Sequence, residues 1–260
     1  ELIEQAGFEA GCFQTLLIDH DQTAELIKQP KLKAVTLTGS ENAGRKIAGQ
    51  AGSALKKTVL ELGGSNAFVV LADADLDSVM KTAVTARFQN TGQSCIAAKR
   101  FIVEASIYDE FLTRFRNRVE ALKFGDPMDE ENTLGPMARA DLAEELADQL
   151  QRSVKQGAKI LCGGEQSRTR FEPTILTDVT VNMPVMQEET FGPVAPVFKA
   201  HDAEHAMKVA AATRFGLGVT VCTEKPEVVL EQLHRFPDGA VFINELVKSD
   251  PRLPFGGTGI

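Results

Sequence analysis

Four short runs in this chain combine nucleophilic, acidic and glycine residues in ways that suit covalent chemistry on a small molecule. In Phe88-Gln89-Asn90-Thr91-Gly92-Gln93-Ser94-Cys95-Ile96-Ala97-Ala98 a cysteine follows a small polar turn and precedes an apolar, small-residue run. A thiol at such a loop-to-strand or loop-to-helix junction meets main-chain N–H dipoles that favour the thiolate, which is the nucleophilic form. The plain alternative is a small buried hydrophobe, a reading that suits Cys12, Cys162 and Cys222. In Leu60-Glu61-Leu62-Gly63-Gly64 a glutamate sits between leucines at the end of an apolar run. Desolvation there raises a carboxyl pKa toward the range of a general base, whereas exposure at a strand end leaves an ordinary carboxylate.

Two further runs look suited to a dinucleotide. Val35-Thr36-Leu37-Thr38-Gly39-Ser40-Glu41-Asn42-Ala43-Gly44 reads as a strand running into Gly-Ser and then a helix. Backbone N–H groups and the positive end of the helix dipole can approach a pyrophosphate at such a turn. The run lacks the G-x-G-x-x-G spacing, so any strand–turn–helix junction would look the same. Gln187-Glu188-Glu189-Thr190-Phe191-Gly192-Pro193-Val194 offers a carboxylate for a ribose hydroxyl pair and an aromatic for a flat ring. In isolation it is only a loop.

The elements that must position these residues alternate. Strands are expected at 14–18, 33–38, 57–62, 66–71, 99–104, 159–162, 174–176, 194–198, 218–222 and 239–243. Helices are expected at 22–29, from the Gly39-Ser40 turn to about Ala51, and at 75–88, 106–122, 140–156, 202–213 and 226–235. Asp73 or Asp75 is the expected cap of the third helix and Ser106 of the fourth; Gly63-Gly64 is read as a turn, and 125–136 as a loop. Short Val/Ile/Leu-rich strands alternating with helices predict an α/β fold around a doubly wound, mostly parallel sheet. The composition shift at Gly63-Gly64 marks the best domain hinge.

Composition excludes several classes. A chain of 260 residues with 43% hydrophobic and 25% charged residues is ordinary globular material. The net charge of -8, spread along the chain, disfavours nucleic-acid binding, which needs a basic face. No apolar run is long enough for a membrane helix. Four scattered cysteines without a C-x-x-C pair suggest a reduced, cytoplasmic protein. His201 and His205 stand at helical spacing beside Asp202 and Glu204, but a solvated first turn accounts for them, so no metal site is expected. The chain starts without methionine, inside an apolar-periodic stretch, and ends in a turn-rich run, which reads as an internal piece of a longer polypeptide.

Taken in order, Leu60-Glu61-Leu62-Gly63-Gly64, Asn90-Thr91-Gly92-Gln93-Ser94-Cys95, Glu188-Glu189-Thr190-Phe191-Gly192-Pro193-Val194 and Pro254-Phe255-Gly256-Gly257 resemble the aldehyde dehydrogenase superfamily over essentially the whole chain. Within it the bacterial succinate-semialdehyde dehydrogenases are most similar, through Ala86 to Gln93, Gly125-Asp126-Pro127, Glu130-Glu131-Asn132, Leu134-Gly135-Pro136-Met137 and Ser249-Asp250-Pro251-Arg252-Leu253. The resemblance implies an aldehyde dehydrogenase-like catalytic domain at 63–256, preceded at 1–62 by the second part of a Rossmann-like cofactor domain. Residues 257–260 would begin a truncated C-terminal segment.

The resemblance also assigns roles. Cys95 matches the nucleophile that forms a thiohemiacetal and then a thioester, and Glu61 the base that activates the hydrolytic water. Thr38, Gly39, Ser40 and Gly44 match the pyrophosphate turn, and Leu62 a main-chain contact to the nicotinamide amide. Glu189 matches the acid on the nicotinamide ribose and Phe191 its packing partner. NAD or NADP is the implied cofactor, a small aldehyde the substrate, and a homodimer or homotetramer the parent assembly. The resemblance places a second oxyanion donor, an asparagine, before Glu1. Gly259 stands where the family usually has lysine, and Gln89 where one succinate-semialdehyde branch has arginine. No second cysteine lies two residues from Cys95, so no local disulfide switch is expected. A CoA-acylating relative, an inactive truncated piece and a cysteine hydrolase are the competing readings. The acylating relatives typically lack the glutamate matching Glu61, and a hydrolase would want a histidine base that no motif supplies.

Overall fold

Short apolar runs buried on both faces form the middle of this chain's main sheet. The computed structural model describes residues 1–259, so Ile260, the last residue of the 257–260 segment, lies outside the described residues. The chain divides into two compact units, Glu1–Leu62 and Gly63–Ile260.

The first unit holds α1 (Leu2–Gln5), α2 (His20–Lys28), β1 (Ala34–Thr38), α3 (Glu41–Ser53) and β2 (Lys57–Glu61). β1 and β2 pair in parallel, Ala34 opposite Lys57 through Thr38 opposite Glu61, and α3 makes the crossover that parallel pairing requires. A capping box at Asp19 starts α2, with Gln22 N–H donating to Asp19 Oδ1 at 2.8 Å. Gln29 is extended ahead of Pro30 and ends it, as expected. Residues 14–18 form no strand, contrary to the expectation from their apolar content. A strand needs a partner ladder; β1 pairs only with β2, and Leu17 is 97% exposed.

The second unit is built on a seven-stranded sheet. Its strands are β3 (Asn66–Val70), β4 (Ala98–Glu104), β5 (Lys159–Cys162), β8 (Thr174–Thr177), β9 (Val194–Ala200), β10 (Val219–Cys222) and β11 (Val241–Ile243). The two-residue strands β6 (Gln166–Ser167) and β7 (Arg170–Phe171) form a separate hairpin. The sheet order is β11-β10-β3-β4-β9-β8-β5, with every pairing parallel except β5 with β8. The helices are α4 (Leu76–Phe88), α5 (Tyr108–Glu120), α6 (Ala140–Lys155), α7 (Pro184–Gln187), α8 (Ala203–Ala211) and α9 (Pro226–Glu231).

Two cores cover the two faces, which makes the sheet doubly wound. In β3, Ala67 and Val69 join one core with residues of α6, α7 and α8; Phe68 and Val70 join the other with α4 and α5. Phe101 anchors the second core, its ring centroid 5.3 Å from that of Phe68 and 5.0 Å from that of Phe115.

Several boundaries differ from expectation. Asp75 does cap α4, accepting from Asp77 N–H at 3.0 Å, but Ser106 caps nothing. Ile107 N–H instead closes a turn on Glu104 O at 3.2 Å, so α5 starts at Tyr108, whose buried ring sends its hydroxyl to Val197 O. The helix expected at 226–235 is α9 followed by a separate 3-10 turn, Leu233–Arg235. Gly63-Gly64 is not a turn; neither residue has a positive φ, and the pair lies in the irregular stretch just ahead of β3.

Candidate active site

Three of the singled-out runs lie at the starts of neighbouring parallel strands. Gly63-Gly64 leads into β3, Cys95 into β4, and Glu189 to Phe191 into β9, and β3-β4-β9 are adjacent in the sheet. Parallel order therefore gathers them at one edge although 125 residues separate Gly64 from Glu189. This is the edge at the amino ends of the strands, opposite to the carboxyl-end crevice where ligands of open α/β sheets usually bind.

Glycine makes the approach feasible. A Cβ on Gly64 would come 2.5 Å from Cys95 O, and one on Gly63 would overlap the Glu189 carboxylate. The Asn90-Thr91-Gly92 stretch just ahead of Cys95 forms a tight left-handed passage, with φ of 53°, 55° and 72°. Left-handed backbone is costly for a β-branched residue such as Thr91, and such strain persists only where the surroundings enforce it. Here they do. Thr91 Oγ1 donates to Gly135 O at 3.0 Å, Asn90 Nδ2 to Gln93 O at 2.8 Å, and Ala138 N–H to Gln93 Oε1 at 2.8 Å. At Gly92 an added Cβ would come 2.5 Å from Gly192 O and 3.0 Å from Arg87 O, both backbone atoms. Gly92→Ala is therefore expected to lose about 2–4 kcal/mol of stability, from the positive φ and the backbone clash together. A urea midpoint within error of wild type would contradict this.

The loop carrying Glu189 is held by three side chains that the sequence reading did not single out. Arg87, fully buried, donates to Thr190 O at 2.9 Å, to Ala98 O at 3.3 Å and also to Gly192 O. Gln149 on α6 donates to Glu189 O at 3.1 Å. Arg152, also on α6, grips Glu188 in a two-point pair at 2.8 and 2.7 Å, holding its carboxyl below the usual range. The two adjacent acids thus have different surroundings: Glu188 belongs to the helix, while Glu189 turns toward Gly63 and Gly64.

Glu189 Oε1 accepts from Gly64 N–H at 3.1 Å and from Lys99 Nζ at 2.5 Å, which leaves Oε2 as the oxygen for a further donor. Lys99 is completely buried on β4 and also lies 5.5 Å from the centroid of the Phe191 ring. Burial pulls its ammonium down to about 8, against the opposing pull of Glu189. Burial likewise lowers Arg87 to about 9. Cys95 is half-buried in a turn at the loop-to-strand junction, as expected. Among the described residues, the buried side-chain atoms without a protein partner are Ser65 Oγ, Asn66 Oδ1, Arg87 Nε and Thr190 Oγ1. All four belong to the segments just described, so polar groups left unsatisfied concentrate around this edge.

The remaining expected residues lie in the first unit. Thr38 ends β1, and Ser40 caps α3, its Oγ accepting from Ala43 N–H at 3.3 Å. Gly39 N–H donates to Glu61 O at 3.0 Å, and Glu61, half-buried, ends β2 opposite Thr38. A Cβ on Gly44 would come 2.6 Å from Leu62 Cδ2, so close helix-to-strand packing is what this glycine provides. No group of metal-ligating side chains and no helix long and apolar enough to cross a membrane occurs among the described residues.

A βαβ unit followed by a doubly wound sheet, with a cysteine, a carboxylate and an aromatic at the amino ends of adjacent strands, describes one class of fold. Residues 1–259 match the aldehyde dehydrogenase family, and the chain belongs to it. It is 48% identical to the NAD(P)-dependent succinate semialdehyde dehydrogenase Sad of Escherichia coli K12, with 99% of this chain and 56% of that protein covered. The crystal structure of succinic semialdehyde dehydrogenase from Streptococcus pyogenes in complex with NADP+ superimposes with a TM-score of 0.95 at 39% identity, covering 99% of this chain and 57% of that one. Succinate-semialdehyde dehydrogenase from Burkholderia pseudomallei gives a TM-score of 0.95 at 32% identity, covering 100% and 55%. The chain thus spans little more than half the length of the relatives it matches.

Proposed function

We propose that this chain carries the nucleophile and general base of an enzyme that oxidises succinate semialdehyde, or a similarly small aldehyde, to the acid with NAD or NADP. The observation that carries the reading is Cys95 at the head of β4, on the sheet edge where Glu189 and Phe191 also stand.

Each unit by itself offers groups that suit part of a dinucleotide: in the second, Glu189 Oε2 suits a ribose hydroxyl and Phe191 a flat ring, and in the first, the Ser40-capped start of α3 suits a pyrophosphate. Thr38, Gly39, Ser40 and Gly44 are assigned to that pyrophosphate turn, and the Leu62 main chain to the carboxamide. A bound nicotinamide supplies the hydride acceptor for the oxidation. The chain's own residues do the rest. The Cys95 thiolate adds to the aldehyde carbon, a C–S bond forms, and the carbonyl oxygen takes the negative charge, with the Cys95 N–H as a donor to it. Oxidation at that carbon leaves a thioester on Cys95. Glu61 takes a proton from water as the water attacks the thioester, the C–S bond breaks, and the acid leaves. Glu61 favours release by water over transfer to a thiol.

Cofactor reduction followed at 340 nm tests the reading in the natural polypeptide carrying this sequence. Succinate semialdehyde with NAD or NADP is expected to be oxidised with kcat/KM at least about tenfold above that for a longer or uncharged aldehyde. Equal use of all aldehydes would remove the substrate assignment, and no reduction with any of them would remove the activity.

A further inference from the structure

A lysine with no place in the proposed chemistry lies beneath the candidate nucleophile. The β3–β4 register slips at this point: Asn66 faces Ala98 and Ala67 faces Arg100, so Lys99 has no residue opposite it on β3. Bulges of this kind re-aim a side chain and are frequent beside functional sites. Arg100 goes to the carbonyls of Ser65, Val209 and Ala210 at 2.9–3.1 Å. Lys99 turns elsewhere. Its Nζ donates to Gly64 O at 2.6 Å, to Cys95 O at 3.4 Å and to Glu189 Oε1 at 2.5 Å, with the Phe191 ring at 5.5 Å. One ammonium thus touches all three segments that converge on this sheet edge.

We propose that Lys99 is the positioning residue of this site: it locks the Gly63-Gly64 segment, the Cys95 turn and the Glu189 carboxylate together, and its charge favours the Cys95 thiolate. The inference rests on reading Cys95 as the nucleophile and Glu189 as the ribose acid. A plain structural role would need only the hydrogen bonds. Burying a lysine is costly unless it is paired, and here the pairing is spent on the residues assigned to chemistry. The charged groups acting on Lys99 are Glu189 and Cys95, which hold its proton on, and Arg87, which opposes it. With Lys99 charged, the Cys95 thiol loses its proton at lower pH than it would beside a neutral side chain.

The test is the pH profile of Cys95 alkylation by iodoacetamide on this chain, read peptide by peptide in a mass spectrometer, with Cys162 as an internal control. Lys99→Gln keeps donors but removes the charge; its Cys95 midpoint is expected to rise by about one pH unit, slowing alkylation at neutral pH about tenfold, with Cys162 unchanged. Lys99→Arg keeps the charge and is expected to stay near the wild-type midpoint. A Lys99→Gln midpoint equal to wild type, or an equal shift in both variants, overturns the proposal. Labelling needs no turnover, so failure of the dehydrogenase reading shows in the aldehyde assay and failure of this one in the alkylation profile.

Discussion

Replacing Cys95 with alanine should lower aldehyde oxidation in the natural polypeptide by at least about 10⁴-fold, the scale seen when a covalent nucleophile is lost. The effect should fall on turnover. Removing one sulfur from a half-buried turn position leaves in place the main-chain carbonyl of residue 95 that Lys99 contacts. The unfolding free energy should therefore change by no more than about 1 kcal/mol. Stopped-flow absorbance at 340 nm with a large excess of variant enzyme checks the chemistry, and urea unfolding checks the fold. Oxidation within tenfold of wild type would mean that Cys95 carries no substrate. A collapsed fold would mean that its role is structural.

The second large effect belongs to Glu61 and has a different shape. Glu61→Gln keeps size and hydrogen-bonding capacity while removing the ability to take a proton. Thiolate attack and oxidation precede the need for a base, so a single burst of reduced cofactor, close to one per site, should still appear. Steady turnover should then slow by about 10²–10⁴-fold, the usual worth of a positioned general base. Rapid mixing separates the two phases. The position supports a specific, local effect: Glu61 closes β2 opposite Thr38, and its main-chain carbonyl, unaffected by the substitution, holds Gly39 N–H. Wild-type turnover in Glu61→Gln would overturn the assignment of the base, and loss of the burst would place Glu61 before oxidation instead of after it.

The candidate site residues stood out in the sequence because a cysteine or a glutamate beside glycines has a local reading. Asn90 to Gln93 reads as a small polar turn, and the structure adds that it is left-handed, with φ of 53–72° from Asn90 to Gly92. The alternation of strands and helices was equally legible, since the central strands β3, β4, β8 and β10 are apolar enough to be buried along nearly their whole length. Gly63-Gly64 was misread because glycine pairs signal turns by default. Here they clear room for the Cys95 carbonyl and the Glu189 carboxylate, both remote in sequence. For the same reason residues 14–18 looked like a strand: apolar content is a local property and a ladder partner is not.

The buried cations were the least legible part. Lys99-Arg100 at the start of an apolar run looks like the solvated end of a strand, and Arg87 in Ala86-Arg87-Phe88 looks like the outer face of a helix. Only the fold shows them at 0–2% exposure with carbonyls and a carboxylate around them. Two adjacent basic residues leading into Phe-Ile-Val were the available signal, and such residues are mostly exposed. Likewise nothing in Glu188-Glu189 tells which acid pairs with a helix and which faces the site; Arg152, on α6, decides it.

The central claim is that substrate becomes covalently attached to Cys95. The most direct measurement is mass spectrometry of acid-quenched Glu61→Gln enzyme after mixing with succinate semialdehyde and NAD or NADP. An acyl adduct is expected on the Cys95 peptide, about one per site, appearing with the burst and absent from the peptides of Cys12, Cys162 and Cys222. Cofactor reduction without an adduct on Cys95, or with the adduct on another residue, would contradict it.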